Sequence, residues 1–484
     1  MELAIATARS GILYSGDMRE RVRSLNEAPI RPNARYVIYW AQMNRRAACN
    51  HALAYAIELA NGLGVPVLFY EGLTCTYPYA NDRLHQFILE NVPDTAEDLK
   101  RLGIGYTFHL RRRKSDANDA LYQLAKDAAA VVTDDYPTFI ARQHNASVPK
   151  RLDIPYFVVD SSCVVPMNRM EKREYAAYTI RPRIKKILDQ YLRPFEMPVP
   201  VKRWKLEASA FHTEVTHQNI ANLVASCEID HSIKASTTYR GGAKRAHQLL
   251  TSFVEHNLSR YANDRNEPSA HATSDLSPYL HFGNLSALEI ALTVKHYAAA
   301  KGLIADEYLE ELIVRRELAF NFAKYADDPE SLNNLPNWAL ATLAKHDGDA
   351  RDFTYSCEQW ERAETHDALW NATQKEMLLR GKIHGYYRMY WGKKIIEWSS
   401  SHQEALATMI YLHDKYALDG RDPNTYTNIL WCFGLHDRPW TERPIFGMIR
   451  FMSGDGMKRK TNTAAYIKEI EYLERTGRDL HQVQ

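Results

Sequence analysis

Two stretches with different hydrophobic patterns divide the chain. Between residues 35 and 166, short runs rich in β-branched and aromatic residues alternate with stretches whose apolar residues recur at three- and four-residue spacing. This alternation is typical of strands joined by helices, and it predicts a parallel sheet covered on both faces. The predicted strands cover about residues 36–40, 65–70, 128–133 and 155–160, and helices are predicted over 51–61 and from residue 80.

Beyond residue 201 the pattern is helical almost throughout. Apolar positions at helical spacing predict helices over residues 243–261, 287–299, 306–325, 368–398 and 403–416. Between the halves, a stretch rich in proline and basic residues is typical of a connecting segment. The predicted organisation is an N-terminal extension (1–34), an α/β domain (35–166), a connecting segment (167–201) and an all-α helical domain (202–484).

Composition excludes several classes of protein. A chain of 484 residues is long enough for two or three domains, and 45% hydrophobic with 25% charged residues is ordinary for a globular protein. The longest apolar run, Tyr36–Ala41, is far too short to cross a membrane. With 61 basic and 59 acidic residues, the net charge of +2 does not indicate a nucleic-acid partner, so any such surface must be local.

The six cysteines are scattered, and no two form a Cys-x-x-Cys pair. This spacing argues against a disulfide framework, a zinc site or an iron–sulfur cluster, and we expect no metal. Residues 1–30 lack the long apolar core of a signal peptide. We therefore expect a reducing compartment, the cytoplasm or, in a eukaryote, the nucleus.

Glycines and one arginine recur on one face of the helix predicted over residues 368–398. Gly381, Gly385, Arg388 and Gly392 are spaced at i, i+4, i+7 and i+11. Each glycine costs a helix roughly 1 kcal/mol relative to alanine, so the stripe indicates either a closely packed helix or a flat ligand. A buried arginine on this face also requires a partner.

Three tryptophans fall in the same predicted helix. Trp391 and Trp398 are seven residues apart, which places them on nearly the same face and about 10 Å apart along the axis, and Trp370 precedes them. Tryptophans so placed are usually core residues. Indoles at such separations can also pass electrons stepwise, and together with the glycine–arginine face they suggest a flavin.

Seven motifs, in one order along the chain, resemble those of class II cyclobutane pyrimidine dimer photolyases, in the photolyase/cryptochrome family. The resemblance runs from about residue 35 to residue 466. The motifs are REYAAYTIRP (173–182), SDLSPYLHFG (274–283), ELIVRREL (311–318), THDALW (365–370), RMYW (388–391), LDGRDP (418–423) and HDRPW (436–440).

The resemblance implies the photolyase/cryptochrome fold, with a Rossmann-like N-terminal domain and an all-α helical domain that binds FAD. In some members the N-terminal domain also holds an antenna chromophore of the deazaflavin, folate or flavin type. Arg388 and Asp419 match the ion pair beside the isoalloxazine ring. The positions that match those holding the FAD phosphates are Tyr261, Ser274, Leu276 and Ser277.

The resemblance also implies a reaction and a substrate. Light-excited, reduced FAD (FADH−) splits pyrimidine dimers in UV-damaged DNA by electron transfer, and we expect the enzyme to act as a monomer. Glu311 matches the acid that hydrogen-bonds the dimer, while Trp431 and Met389 match its pocket wall. The tryptophan relay that photoreduces the flavin, and a tyrosine near it, match Trp370, Trp391, Trp398 and Tyr355.

Basic residues outnumber acidic ones six to three between residues 436 and 460. Such a patch is usually a solvated surface, but here it follows the pocket tryptophan, where a DNA backbone would pass. We expect Arg438 and Arg450 to contact the DNA bubble and phosphates, with Lys458 and Lys460 on the same basic face.

Three positions depart from the pattern of the class. At the position of His413, members of the class have an asparagine close to flavin N5, and at the position of Phe320 they have an acidic residue. The three residues that begin at Thr461 replace the usual end of the basic stretch. A group beside N5 influences which flavin states persist. These departures leave open a cryptochrome-like blue-light photoreceptor with reduced or no repair. A separate alternative is a light-independent adenine-nucleotide binder in the N-terminal domain.

Overall fold

The computed structural model describes residues 16–207 and 209–480. Within these residues a sheet has the strand order β1-β6-β5-β2-β3-β4, in which only β1 is antiparallel to its neighbour. The strands are β1 (Val22–Ser24), β2 (Tyr36–Trp40), β3 (Val67–Thr74), β4 (Gly105–Arg111), β5 (Ala128–Asp134) and β6 (Tyr156–Val159). The predicted parallel sheet is thus confirmed.

Helices cover the sheet and form nearly all of the second half, which confirms the predicted α/β plus all-α fold. In the first half they are α1 (Gly16–Arg21), α2 (His51–Leu63), α3 (Asp82–Leu102), α4 (Ala120–Ala125), α5 (Phe139–Ser147) and α6 (Ala177–Tyr191). In the second half they are α7 (Ile220–Ala225), α8 (Ala243–Ser252), α9 (Leu258–Asp264), α10 (Ser277–His281), α11 (Ala287–Lys301), α12 (Asp306–Leu309), α13 (Arg316–Tyr325), α14 (Asn337–His346), α15 (Cys357–Glu361), α16 (Ala368–Arg380), α17 (Gly385–Trp398), α18 (His402–Tyr416), α19 (Pro423–Cys432), α20 (Gly454–Lys460) and α21 (Thr463–Thr476).

Local sequence explains how these helices begin and end. The Asn50 side chain caps α2 by accepting a hydrogen bond from the Leu53 amide, and Gly64 ends it at φ 69°. Two short π-helical stretches, Phe253–Asn257 and Glu310–Arg315, interrupt longer helices of the second half. The second stretch carries Glu311, and π-helical turns occur often at functional sites.

Several boundaries differ from the sequence prediction. Strand β1 lies within residues 1–34, where an N-terminal extension was expected, and residues 1–15 of that segment fall outside the described residues. The edge strand β4 was missed, and α6 lies within the expected connecting segment. The helix predicted over 368–398 is wrong, because α16 ends at Arg380 and α17 begins at Gly385.

One apolar core crosses the boundary between the two halves. It combines Leu84 and Phe87 of α3 with Phe253 and Tyr279 of the helical half, and all four are buried. At a second contact, the buried Glu317 carboxylate accepts hydrogen bonds from the amides of Val164 (2.6 Å) and Val165 (3.1 Å). The halves are therefore joined by packing and by buried polar contacts.

A buried arginine of α3 adds a third connection. The Arg83 guanidinium donates to the carbonyls of Met377 (3.0 Å) and Leu378 in the last turn of α16, and to that of Tyr416 (2.8 Å) at the end of α18. A cation at a helix C-terminus opposes the negative end of the helix dipole. Arg83 is only 3% exposed, and burial lowers its pKa to about 10, so it stays charged at neutral pH.

None of the helices in the part of the chain that the structure describes combines the length and the apolarity needed to cross a lipid bilayer.

We expect Arg83→Met to lower the free energy of unfolding by about 3 kcal/mol, because several buried carbonyls lose a charged donor. Urea denaturation of the purified protein measures this change. Arg101→Met is the matched control, since the Arg101 side chain is 68% exposed and pairs only with Asp98 on the surface; it should cost less than about 0.5 kcal/mol. Equal losses in the two variants would contradict the role assigned to Arg83.

Candidate functional site

A cavity of about 280 Å³ opens in the helical half. It is bounded by the start of α10, the π-helical turn around Glu311, the segment before α17, and the start of α19. Its volume is near the lower end of the range for small-molecule sites, about 300 Å³. The residues that line it include Ser274, Leu276, Ser277, Tyr308, Glu311, Arg316, Lys382, Gly385, Arg388, Asp419, Asp422, Asn424 and Asn428.

An ion pair forms one wall of this cavity. Arg388 of α17 contacts both carboxylate oxygens of Asp419, at 3.1 and 3.0 Å, and the Ser277 hydroxyl donates to the same carboxylate at 2.8 Å. Burial alone would raise the pKa of Asp419, but the charge and hydrogen bond of Arg388, together with the charge of Lys382, hold that pKa well below its usual range. Arg388 thus has the partner that the sequence argument required.

The three glycines of the predicted stripe have three different roles. Gly381 ends α16 in the left-handed region (φ 80°) and does not lie on α17. A side chain at Gly392 would come within 2.7 Å of Cys432 Sγ, so this position allows close packing of α19. A side chain at Gly385 would meet nothing within 4 Å, and this glycine lines the cavity. The single-stripe interpretation is therefore wrong, although one glycine does face a cavity.

Three of the four residues expected near the FAD phosphates, Ser274, Leu276 and Ser277, line the cavity. The fourth, Tyr261, packs edge-on against Tyr308, with their ring centroids 5.1 Å apart. Lys382 was missed by the sequence analysis. Its Nζ donates to Asp275 at 2.6 Å, and it lines the cavity with its charge held in place.

His413 is fully buried on α18 beside the ion pair. Neither of its ring nitrogens has a hydrogen-bond partner among the described residues, and the same holds for Arg388 Nε. Burial, reinforced by the charge of Arg388, lowers the pKa of His413 to about 3. Its ring centroid lies 6.5 Å from that of Trp391. The imidazole is therefore neutral at physiological pH and retains unused hydrogen-bonding groups.

Aromatic rings continue from His413 towards the surface. The Trp391 indole donates to Gln374 Oε1 at 2.9 Å, and the Trp370 indole donates to the Trp391 carbonyl at 3.0 Å. Trp398 lies at the other end of α17, and its ring centroid is 5.9 Å from that of the half-buried Tyr355. All four residues of the predicted relay thus belong to one region, but Trp370 lies on α16, separate from the helix of the other two tryptophans.

Of the three residues expected to hold a lesion, Glu311 is among those that line the cavity, whereas Trp431 and Met389 are not. Glu311 lines the cavity and accepts a hydrogen bond from Arg265 Nη1 at 2.8 Å. Trp431 lies one turn beyond Asn428 on α19, with the Arg315 guanidinium 5.5 Å from its ring centroid. The Met389 sulfur packs against α19, 4.0 Å from Cys432 Sγ.

Basic and aromatic side chains follow Trp431 on the surface. The guanidinium carbons of Arg438 and Arg450 lie 5.1 and 5.3 Å from the ring centroid of Trp440, which is 40% exposed. Lys458 and Lys460 are exposed on α20. Arginines held against an exposed indole form a surface suited to nucleic acid.

The other two departures from the class pattern are structural in this chain. Phe320 is fully buried, and its ring meets that of Tyr136 edge-on, with centroids 5.5 Å apart. The Thr461 hydroxyl lies 2.9 Å from the Tyr387 hydroxyl. Phe320 therefore supports the contact between the two halves.

A second cavity, of about 90 Å³, lies between the halves. Its walls include Trp40 at the end of β2, Gln42 just beyond it, Leu73 in β3, and Phe282 and Arg421 from the helical half. In open α/β sheets, ligands bind at the carboxyl ends of the strands, where the strand order reverses, and this cavity occupies that position. Over the described residues, no three His, Cys, Asp or Glu side chains are grouped so that they could hold a metal ion.

The fold and the site together define a protein with an α/β half and an all-α half, in which an arginine–carboxylate pair forms one wall of a cavity and the helical half also holds an aromatic cluster and a basic surface. A sequence model of the DNA photolyase family matches residues 37–200. The chain is 39% identical over 456 residues to a deoxyribodipyrimidine photo-lyase of Methanothermobacter thermautotrophicus, covering 94% of this chain and 98% of that one. It therefore belongs to the photolyase/cryptochrome family.

Two further comparisons agree with this assignment. A deoxyribodipyrimidine photo-lyase of Arabidopsis thaliana is 36% identical over 467 residues, which cover 94% of this chain and 93% of the relative. The crystal structure of a Synechocystis cryptochrome matches with a TM-score of 0.67 over 92% of this chain and 91% of that one. Because the Synechocystis cryptochrome is 17% identical in sequence, this match shows a shared fold alone.

The lowered pKa of His413 predicts how acid affects stability. The unfolded chain takes up a proton near pH 6.5, whereas the folded chain resists protonation to about pH 3, so acidification favours unfolding across this window. His413→Asn removes this penalty. Between pH 7 and pH 5, the wild type should therefore lose up to about 2 kcal/mol more of its free energy of unfolding than His413→Asn loses.

Urea denaturation at the two pH values measures this difference. His217→Asn makes the same replacement at an exposed position and should follow the wild type. If His413→Asn loses as much stability on acidification as His217→Asn does, His413 is not held neutral in the folded protein.

Proposed function

We propose that this protein repairs cyclobutane pyrimidine dimers in UV-damaged DNA by light-driven electron transfer, as a class II photolyase that acts as a monomer in the cytoplasm or nucleus. When bound, reduced FAD absorbs the light and supplies the electron that opens the cyclobutane ring. The observation that carries the proposal is the lining of the cavity. One cavity brings together the Arg388–Asp419 ion pair and Glu311, whose side chain stays 41% exposed.

The residues around the cavity fit FAD. Arg388 Nε is buried without a hydrogen-bond partner among the described residues, and Gly385 leaves open space where a side chain would stand. The hydroxyls of Ser274 and Ser277 and the ammonium of Lys382 are groups that bind phosphate and ribose oxygens. We assign Arg388 and Asp419 to the ring system, and these three residues with Leu276 and Tyr261 to the pyrophosphate side.

The mouth of the cavity supports binding of a flipped-out lesion. The Trp431 indole offers a face on which a base can stack, and the Glu311 carboxylate can accept hydrogen bonds from base N–H groups. Arg265 holds this carboxylate in place while the Glu311 side chain stays 41% exposed. Distorted, poorly paired bases cost less to extrude than an intact step, so the lesion itself supplies part of the selectivity.

The surface around Trp440 supports binding to the DNA backbone. Arg438 and Arg450 flank that indole, and Lys458 and Lys460 continue the basic surface. Contacts of this kind are electrostatic and carry no sequence information. The inter-domain cavity, with aromatic walls at the ends of β2 and β3, is our candidate site for an antenna chromophore.

One observation favours a second candidate function, a cryptochrome-like photoreceptor with reduced repair. The neutral, unpaired His413 replaces the asparagine expected beside flavin N5, and such a change alters the hydrogen bonding and redox behaviour of a flavin. Light-dependent loss of dimers from an oligonucleotide, assayed with purified protein, separates the two functions. Restored thymines support repair, flavin absorption without restored thymines supports the photoreceptor, and a protein that binds no flavin contradicts both.

Trp391→Phe should nearly abolish photoreduction of bound FAD, because it removes the first electron donor of the aromatic chain. Repair by enzyme that has been reduced chemically beforehand should stay close to the wild-type yield. Absorption spectra during blue illumination and a dimer-repair assay measure the two quantities. A parallel loss of both would contradict the assignment of Trp391 to photoreduction alone.

Glu311→Ala should lower the repair yield about tenfold or more while bound FAD stays unchanged, because one hydrogen bond to a charged group is lost only in the complex with the lesion. Bound flavin and thymines restored per photon are compared. Glu307→Ala, one turn earlier and exposed, is the control and should behave as the wild type. Equal repair by the two variants would rule out a contact between Glu311 and the lesion.

A further inference from the structure

Trp360 lies at the centre of the aromatic cluster, although the sequence analysis did not single it out. It belongs to the short helix α15 and is 1% exposed. Its ring centroid is 4.8 Å from that of Trp370 and 6.2 Å from that of Trp398, with the second pair nearly parallel at 9°. Tyr355 is also close, at 5.1 Å between centroids. Trp360 therefore links a deep indole to both rings nearest the surface.

The hydrogen bonding of these indoles limits where a proton can go. Trp370 and Trp391 donate to an amide or carbonyl oxygen, neither of which is a base at neutral pH. The Trp360 Nε1–H is buried without a partner among the described residues. A buried unpaired donor is costly and calls for an explanation. An oxidised indole at any of these positions keeps its proton, so the positive charge stays free to move on.

The Tyr355 hydroxyl, in contrast, has a base beside it. The phenol oxygen accepts a hydrogen bond from the His366 backbone amide (3.1 Å), and it lies 2.5 Å from His366 Nδ1, which accepts the phenol proton in the tautomer protonated at Nε2. The His366 side chain is exposed to solvent. A phenol loses its proton when it is oxidised, so this pair can trap the charge and pass the proton to water.

We propose that Trp360 is the branch point of the aromatic chain and that Tyr355 with His366 is its proton-releasing end. Once Trp391 has given up one electron, one electron moves from Trp370 to Trp391, one from Trp360 to Trp370, and one from Tyr355 or Trp398 to Trp360. The Tyr355 proton passes to His366, and a soluble thiol later returns one electron and one proton. This inference rests on the proposed flavin photochemistry.

Trp360→Phe tests the branch point. After a light flash, the wild type should form a neutral tyrosyl radical, detected by transient absorption and by electron paramagnetic resonance. In the variant, that signal should fall at least several-fold, while radicals at Trp391 and Trp370 still form and decay by recombination. Trp204→Phe, which removes an indole that packs on Tyr36 of β2, should leave the signal unchanged. An undiminished tyrosyl signal in Trp360→Phe would overturn the proposal.

The flavin-free protein gives an independent readout. Two indoles 4.8 Å apart should produce an exciton couplet in far-ultraviolet circular dichroism, and it should be lost in Trp360→Phe and kept in Trp204→Phe. A wild-type protein without the couplet would contradict the close pair of Trp360 and Trp370.

His366→Gln tests the proton-releasing end by changing a side chain that is exposed to solvent. Glutamine keeps a polar side chain but is not a base, so oxidised tryptophan should persist and the tyrosyl signal should be lost. An unchanged tyrosyl signal would overturn the role of His366, even if Trp360→Phe failed to fold. If the wild type itself forms no radical on illumination, the photoreduction on which this inference rests fails, whereas dimer repair by chemically reduced enzyme tests the proposed function separately. If the wild type forms the radicals and the variants give the same tyrosyl signal as the wild type, the proposed function stands and the branch point is overturned.

Discussion

The ion pair between Arg388 and Asp419 connects parts of the helical half that lie far apart in sequence. Arg388 belongs to α17, Asp419 to the segment after α18, and the Ser277 hydroxyl brings α10 to the same carboxylate. Because the Asp419 carboxylate is buried, loss of Arg388 would leave an uncompensated charge in the interior. The Arg388–Asp419 ion pair therefore fixes the geometry of the cavity walls and also places charged groups in the cavity.

The segment that carries Asp419 extends this constraint to the α/β half. Asp422 accepts a hydrogen bond from Tyr136 at 2.6 Å and faces His281, while the Arg421 carbonyl accepts one from Thr138 at 2.9 Å. Arg421 adopts a left-handed conformation (φ 64°), and its amide donates to Asp414. This conformation is strained for a residue other than glycine, and it persists where the surrounding contacts hold the backbone in place. One rigid segment thus borders both cavities, with Asp422 at one and Arg421 at the other.

The two candidate functions share this framework and differ at its edges. Relatives named deoxyribodipyrimidine photo-lyase align with nearly the whole chain, whereas the likeness to a cryptochrome structure is one of fold. The groups that we propose to face the lesion are Glu311 and Trp431, and the departure that favours signalling is the buried His413. The two candidate functions therefore rest on different residues.

The sequence alone determined the features that depend on local spacing. The alternation of strands and helices, the caps of α2, the shared face of Trp391 and Trp398, and the need of Arg388 for a partner all follow from residues near one another in the chain. The resemblance supplied Asp419 as that partner. Tertiary structure decided the break at Gly381, the pairing of β1 with β6, and the place of Trp360 between Trp370 and Trp398. Those features arise from packing between distant segments, and no periodicity in one segment records which other segment it will meet.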